Sequence, residues 1–337
     1  MAQSYRKSKI RGVKRVLASL LAAVIVVAIG VIWAAMTPMT SANAVWVQIQ
    51  VKAGDSRHKV GETLDSKGLI RSAFLFEKLV ARRGNYQPGT YRFRTSERPL
   101  RIHERLVRGD FERIRVTIPE GFTLALIAKR LVRLGLIAAE DDFLEPAEQQ
   151  ASDFVTGLPD GAPLEGYIYP DTYSIPLGFD ANAIIELMHS RQSKLLAELN
   201  IPEDSEKRHR LLTIASMIER EAVTDRDRPL VASVIENRLK KKMRLEIDAT
   251  VQYALGKHVN RVMFRHLKID SPYNTYRKRG LPPGPISNPG RKAIIAAANP
   301  ATTPYFFYVL GSDRRNHVFT STYADHLTAI RKYRPKP

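Results

Sequence analysis

Between Val16 and Met36 the chain runs for 21 residues without a charge, almost all of them Ala, Val, Leu and Ile. As a helix rising ~1.5 Å per residue, this run spans about 30 Å, the thickness of the hydrocarbon core of a bilayer. It therefore reads as a transmembrane helix that separates a short tail from everything after it. Arg6, Lys7, Lys9, Arg11, Lys14 and Arg15 precede it with no acidic residue among them. The positive-inside rule then places residues 1–15 in the cytoplasm as a basic tail, and Trp33 lies near the far interface. A cleaved signal peptide is the competing reading, because Ala42-Asn-Ala44 is an acceptable cleavage pattern. Signal h-regions are shorter, about 7–15 residues, which favours an uncleaved anchor. On either reading the bulk of the chain is exported.

That export decides what the charge means. The formal net charge is +19 over 337 residues. Such a balance favours anionic partners: nucleic acid, anionic lipid or the acidic polymers of a cell envelope. Export leaves the envelope and the membrane, and nucleic acid is not expected. There is no cysteine, which excludes disulfides, thiolate catalysis and cysteine-ligated zinc. The length suits two domains of ordinary size, and 44% hydrophobic residues can build their cores.

After a linker at 37–44, Val45–Val51 alternates as a strand does, followed by a turn at Ala53-Gly-Asp55 and a helical pattern over Val60–Lys67 closing on Gly68-Leu-Ile70. The layout returns later: strand-like Ile114–Ile118, a turn at Pro119-Glu-Gly121, helical Leu124–Arg133, then Gly135-Leu-Ile137. Two such units suggest an internal repeat. A helix near Ala73–Arg83, a hairpin-like Gln87–Phe93 and a helix near Ile102–Arg108 complete the first part. Residues 138–160 are acidic and Pro-rich with no firm periodicity. Helical patterns then dominate at Ala181–Leu199, Lys207–Ala222 and Pro229–Lys241, with Asp227 as a possible cap for the last. Arg291–Ala298 is helical, Tyr305–Leu310 and His317–Thr320 form a hairpin, and Tyr323–Lys332 is a final helix. The expected class is α+β: a small α/β module over 45–115, then a larger, mostly helical module with a small sheet over 116–337.

The chemistry centres on Leu211–Glu221, an apolar helical pattern carrying two carboxylates. At about 100° per residue, Leu211, Ala215, Ile218 and Ala222 centre the apolar stripe, with Thr213, Ser216 and Arg220 opposite. Glu219 and Glu221 fall on its two flanks, about 200° apart, so they are not the facing carboxylate pair of a two-carboxylate glycosidase. A carboxyl beside apolar side chains is held protonated and can act as a general acid. Ile214, Met217 and Ile218 around Glu221 favour it over Glu219, which stays as the alternate. On an arbitrary helix both would simply be solvated flank residues.

Downstream lie Asn237-Arg-Leu, Asp248-Ala-Thr-Val-Gln-Tyr253, Ser271-Pro-Tyr-Asn-Thr-Tyr276 and Gly280-Leu-Pro-Pro-Gly-Pro285. With the 211–221 helix, and in this order, they resemble the MltG-type, YceG-like endolytic murein transglycosylases, membrane-anchored enzymes that cut peptidoglycan glycan strands. The resemblance covers most of the chain and is most specific over 211–290. It implies that Glu221, the second Glu of Ala-Ser-(apolar)2-Glu-Arg-Glu, is the catalytic acid. It implies a LysM-like first module, cell-wall synthases as partners, and no cofactor. The implied reaction protonates the oxygen between MurNAc and GlcNAc, after which the MurNAc C6 hydroxyl attacks C1 and leaves a 1,6-anhydro end. No water nucleophile is needed, so one carboxyl suffices. Glu246-Ile-Asp248 departs from the family, where Gln-Thr-Asp is frequent.

Tyr273, Asn274 and Tyr276 are candidates to line a glycan groove, or else a structural loop fixed by Pro272 and capped by Asn274. Asp248 is a candidate helix cap or substrate ligand. Arg238 can position an acidic residue or a stem-peptide carboxylate. Glu165 and Asp171 flank the aromatic stretch Leu164–Tyr173, which the resemblance makes part of the cleft wall. His317 and His326 lack ligand-spaced partners, so no metal site is expected. Phosphate loops and the Gly-x-Ser-x-Gly elbow are missing. A wall-binding protein without activity and a scaffold recruiting synthases remain the alternatives to an enzyme.

Overall fold

The computed structural model describes residues 2–39, 44–80, 84–256, 259 and 262–333. Two residues of the Ala42-Asn-Ala44 pattern, and Ala81–Arg83 of the expected 73–83 helix, lie outside these. The chain divides into two compact units, Met1–Ile114 with Pro176–Gly178, and Arg115–Ile175 with Phe179–Pro337.

In the first unit, α1 (Ala2–Met36) is one continuous helix, and from Ser19 to Met36 it is long and apolar enough to cross a membrane. Its Leu, Val and Ile side chains from Leu17 to Ile32 are exposed, as on a helix surrounded by lipid rather than packed in a core. The module after it pairs β1 (Trp46–Val51) antiparallel with β2 (Gly89–Arg94), Trp46 opposite Arg94 and Val51 opposite Gly89. Between them run α2 (Arg57–Ser66) and α3 (Ala73–Leu75), which widens into a π-helical turn over Phe76–Val80; α4 (Pro99–Arg108) follows β2. Ile49, Leu64, Phe76, Tyr91, Phe93, Ile102 and Leu106 form its core.

The second unit is entered along β3 (Arg113–Thr117), which pairs with β4 (Thr172–Pro176). Then come α5 (Leu124–Arg133), α6 (Asp141–Gln149), α7 (Ala181–Glu198), α8 (Ser205–Glu221), α9 (Arg228–Lys240), α10 (Asp248–Ala254) and α11 (Arg291–Ala298). The hairpin of β5 (Phe307–Leu310) and β6 (His317–Thr320) sets Tyr308 opposite Phe319 and Leu310 opposite His317. α12 (Tyr323–Tyr333) ends the described chain.

The sequence repeat is visible atom by atom. Val51, Gly54, Ser56, Val60, Leu64 and Gly68 recur at one constant separation as Ile118, Gly121, Thr123, Ile127, Leu131 and Gly135. Ser56 caps α2 and Thr123 caps α5 through the same side-chain bond to the third amide onward. Both helices stop on a left-handed glycine, with Leu69 N–H on the Leu64 carbonyl and Leu136 N–H on the Leu131 carbonyl.

Two expectations need correction. The 138–160 segment holds α6 despite Pro146, because Phe143, Pro146 and Ala147 bury one face and Asp142 accepts the amides of Ala138 and Ala139. Thr213 and Ser216 of α8 do not face solvent. Every residue from Leu212 to Ile218 is buried, so the helix runs through the unit's interior.

Candidate active site

Burial of the polar side of α8 follows from the loop laid along it. The His209 ring meets the Pro283 carbonyl at 2.7 Å, Ser216 Oγ accepts the Ile286 amide at 3.0 Å, and Glu219 Oε2 accepts the Gly290 amide at 2.9 Å. The Gly280–Pro285 segment and the turn into α11 are thus tied down at three successive points of one helix. Glu219 is fully engaged in this strapping, since its second oxygen lies 3.6 Å from Arg228 and both side chains are nearly enclosed. Burial pushes its carboxyl up, while the Gly290 amide and Arg228 pull it back. The two glutamates therefore differ in setting, and Glu219 is the one that straps the loop to the helix.

Glu221 ends α8 with its carboxyl turned inward. Tyr308 of β5 donates its hydroxyl to Glu221 Oε2 at 3.1 Å, and the Ala249 amide at the start of α10 also reaches it. Removal from water is the main cause that raises the Glu221 carboxyl, to about 7; the neighbouring Asp248 charge adds to this, and the Tyr308 hydroxyl opposes it. Asp248 does not cap α10: Ile247 occupies the cap position, and Asp248 Oδ1 accepts the Tyr276 hydroxyl at 2.6 Å. The structure therefore gathers Glu221, Asp248, Tyr276 and Tyr308 into one cluster. Tyr308 was hidden in the sequence inside what reads as a buried strand; a hydroxyl in an apolar strand is the one signal that it needs a polar partner.

Behind Tyr308 stands a second pair. Asp227, fully buried, does not cap α9 with its side chain but accepts both the amide (2.6 Å) and Nδ1 (3.0 Å) of His317. The His317 ring meets the Tyr308 ring edge-on, centroids 5.1 Å apart. Arg238 holds the same hairpin from α9, donating to the carbonyls of Phe306, Arg244 and Leu245 and to Glu246, with Phe307 under its guanidinium. Nε and Nη1 are thus engaged by the fold, and the acidic residue that Arg238 meets is Glu246.

The other candidates lie elsewhere. Asn274 is 0% exposed and gives both amide hydrogens to Leu267 and Ile269, so it holds its loop together and offers a glycan no surface. Tyr273 packs on Tyr253, centroids 4.8 Å apart. Glu165, 2% exposed, accepts the Leu124 amide and Asn288 Nδ2 and meets the Tyr253 hydroxyl. Burial pushes its carboxyl up to about 8, higher than Glu221, but its bonds all run inward and it has no open face. Asp171 accepts its neighbour's amide and Arg191 Nε, and does not join the Glu221 cluster. So α10 has a carboxyl cluster at each end: Glu221 with Asp248 at its start, Glu165 with Tyr253 at its finish. Among the described residues no group of acidic and histidine side chains is arranged to hold a metal ion.

Comparison with known proteins adds the following. The sequence profile of the YceG-like family matches residues 49–332. An endolytic murein transglycosylase of Bacillus subtilis (strain 168) is 34% identical over 318 residues, covering 88% of this chain and 88% of that protein. One of Streptococcus pneumoniae serotype 2 is 28% identical over 325 residues, covering 86% of this chain but 59% of that longer protein. In the 2.6 Å crystal structure of a YceG-like protein from Listeria monocytogenes, 30% identical, the match has a TM-score of 0.55 and covers 85% of this chain and 99% of that one.

Proposed function

The chain belongs to the YceG-like family, and on that premise we propose that it is a membrane-anchored endolytic murein transglycosylase whose general acid is Glu221. It is an enzyme of the lytic transglycosylase class, with peptidoglycan as substrate. The observation that carries the assignment is the setting of Glu221: a carboxyl raised to about 7 at the end of a buried helix, hydrogen-bonded by Tyr308 and beside Asp248. A group with this affinity for its proton is protonated in much of the population near neutral pH and gives the proton up without a large penalty.

In the first half of the reaction Glu221 donates to the glycosidic oxygen between MurNAc and GlcNAc as an oxocarbenium-like state develops at C1. The carboxylate left behind keeps its bond from Tyr308. In the second half it takes the proton of the MurNAc C6 hydroxyl as that oxygen closes on C1, giving the 1,6-anhydro end and restoring the acid. The Asp248 carboxylate, held by Tyr276, raises the proton affinity of Glu221 and stabilises positive charge developing on the sugar. Glu219 has no part in the proton transfer, because both of its oxygens are engaged by Gly290 and Arg228. Helix α1 holds the enzyme in the membrane with the basic tail in the cytoplasm and the catalytic unit outside, where newly made strands and the synthases that extend them are within reach.

The test is mass spectrometry of uncrosslinked glycan strands incubated with the parent protein and with Glu221→Gln. New 1,6-anhydroMurNAc ends from the parent alone support the reaction and the acid together. Equal activity in the variant moves the acid elsewhere; strands bound but uncut by the parent overturn the enzymatic reading.

A further inference from the structure

Arg208 stands in the first turns of α8, and its Nε is buried without a hydrogen-bond partner. Its guanidinium makes no ion pair or hydrogen bond among the described residues. An enclosed, unsatisfied arginine nitrogen is costly in a native fold, and the same side chain, with no acidic partner, lines a cavity. The cavity has a volume of about 290 Å³ and is walled by Phe154 and Leu196 on its apolar side and by Thr156, His189 and Ser193 on its polar side.

Two hydrogen bonds inside it orient the His189 ring. Nδ1 faces the Tyr167 carbonyl at 3.2 Å, which can only accept, so Nδ1 carries the hydrogen. Nε2 meets the Ser193 hydroxyl at 3.2 Å and, in the neutral ring, accepts from it. Burial lowers the pKa of His189, the Tyr167 carbonyl opposes this and the neighbouring Arg208 charge adds to it, so the net direction favours a neutral ring. The cavity thus has one cation, Arg208, a neutral polar wall, and one carboxylate, the exposed Glu203. A dianion such as phosphate would be undercompensated there. A monoanion with two coplanar oxygens matches a single guanidinium fork.

We infer that this cavity is a carboxylate-binding site with Arg208 as counter-ion, and that its ligand is the C-terminal carboxylate of a short peptide of the kind borne by the glycan substrate. The identity of the peptide rests on the peptidoglycan reading above; the carboxylate site does not. Arg208 and Glu221 share α8 but lie about 20 Å apart along its axis and point to different sides of it. The site is therefore an accessory one, separate from the bond being cut, and suited to holding a peptide while the acid works on a strand.

The experiment is calorimetric titration of the full-length protein in detergent, in the Glu221→Gln background so that binding is read apart from cleavage. The probes are Nα,Nε-diacetyl-Lys-D-Ala-D-Ala, its C-terminal amide and inorganic phosphate. The expected result is that the acid binds at least tenfold tighter than the amide and than phosphate. Arg208→Gln loses that preference, Arg208→Lys recovers only part of it, and Glu203→Gln tightens the acid severalfold. Equal binding of acid and amide, no binding of either, or unchanged binding in a folded Arg208→Gln protein overturns the proposal. Tighter binding of phosphate than of the acid overturns the carboxylate assignment. Failure of the parent to cut strands, with peptide binding intact, would count against the catalytic reading and leave the site standing.

Discussion

In the proposed reaction a single carboxyl, Glu221, has to give a proton and take one back, and the residues around it set when it can. Because the resting enzyme needs the protonated form, kcat/KM for strand cleavage is expected to fall as pH rises through about 7. Tyr308 stabilises the ionised carboxylate, so Tyr308→Phe removes a force that lowers the pKa. The falling limb of that variant should move to higher pH, with a loss in rate smaller than that of the acid itself; a limb that stays in place would detach Tyr308 from the proton. Glu221→Gln should cut the rate by about 10²–10⁴-fold with little change in Tm. Glu219→Ala should do the reverse, destabilising by about 1–3 kcal/mol through the unpaired Gly290 amide and the loss of one of the two acidic partners of the buried Arg228, while the folded fraction retains cleavage. Thermal melts beside rate measurements separate the two effects.

Among elements, α8 and the loop across it form the frame, and Asn288 fastens that frame to the rest of the unit. Its Oδ1 accepts the amides of Gly166 and Ile168, and its Nδ2 donates to the Phe122 carbonyl and Glu165. Gly166 is needed in this join, since it sits at φ +84° and a Cβ there would lie 2.5 Å from Pro285. Glu165 gives the frame a pH dependence. Its folded pKa of about 8 lies above the ordinary carboxyl value of 4.5. Between those two values the native state keeps a proton that the unfolded chain has lost, so stability falls as pH rises from about 4.5 to about 8. Glu221 contributes with the same sign. In a Glu221→Gln background, Glu165→Gln should therefore flatten the decline of Tm between pH 5 and pH 8, and an unaltered slope would show that Glu165 is ionised in the fold.

For the whole molecule, the proposed division of labour lies between the apolar N-terminal helix as anchor and the folded parts that follow it. The core of the first unit and the buried interior of α8 draw none of their named residues from α1. A protein beginning at residue 45 should therefore be soluble without detergent, melt at a Tm within a few degrees of the parent and keep cleaving added strands. The full chain should sediment with membranes and resist extraction by high salt. Loss of the cooperative melt in the shortened protein would mean that α1 is part of the fold rather than an anchor.

Local periodicity was enough to reveal the long apolar helix at the N-terminus, the two capped strand–turn–helix units, the hairpin of β5 with β6 and most helix positions, because each depends on residues close in the chain. It also placed Glu219 and Glu221 on different sides of α8, since helical angle follows from spacing alone. What periodicity could not supply was which side chains are answered by distant partners. Thr213 and Ser216 read as a solvent face and are buried because a loop some 70 residues later lies on them. Asp227 reads as a cap and Asp248 as a cap or a ligand, and they instead accept from His317 and Tyr276; Asn274 reads equally as a groove residue or a loop cap, and the packing encloses it in its loop. The same long-range packing joins Tyr308 to Glu221 across 87 residues. Charge, apolar pattern and turn chemistry are local and legible in one dimension; proton affinity and hydrogen-bond partnership depend on burial, which exists only once the chain has closed on itself.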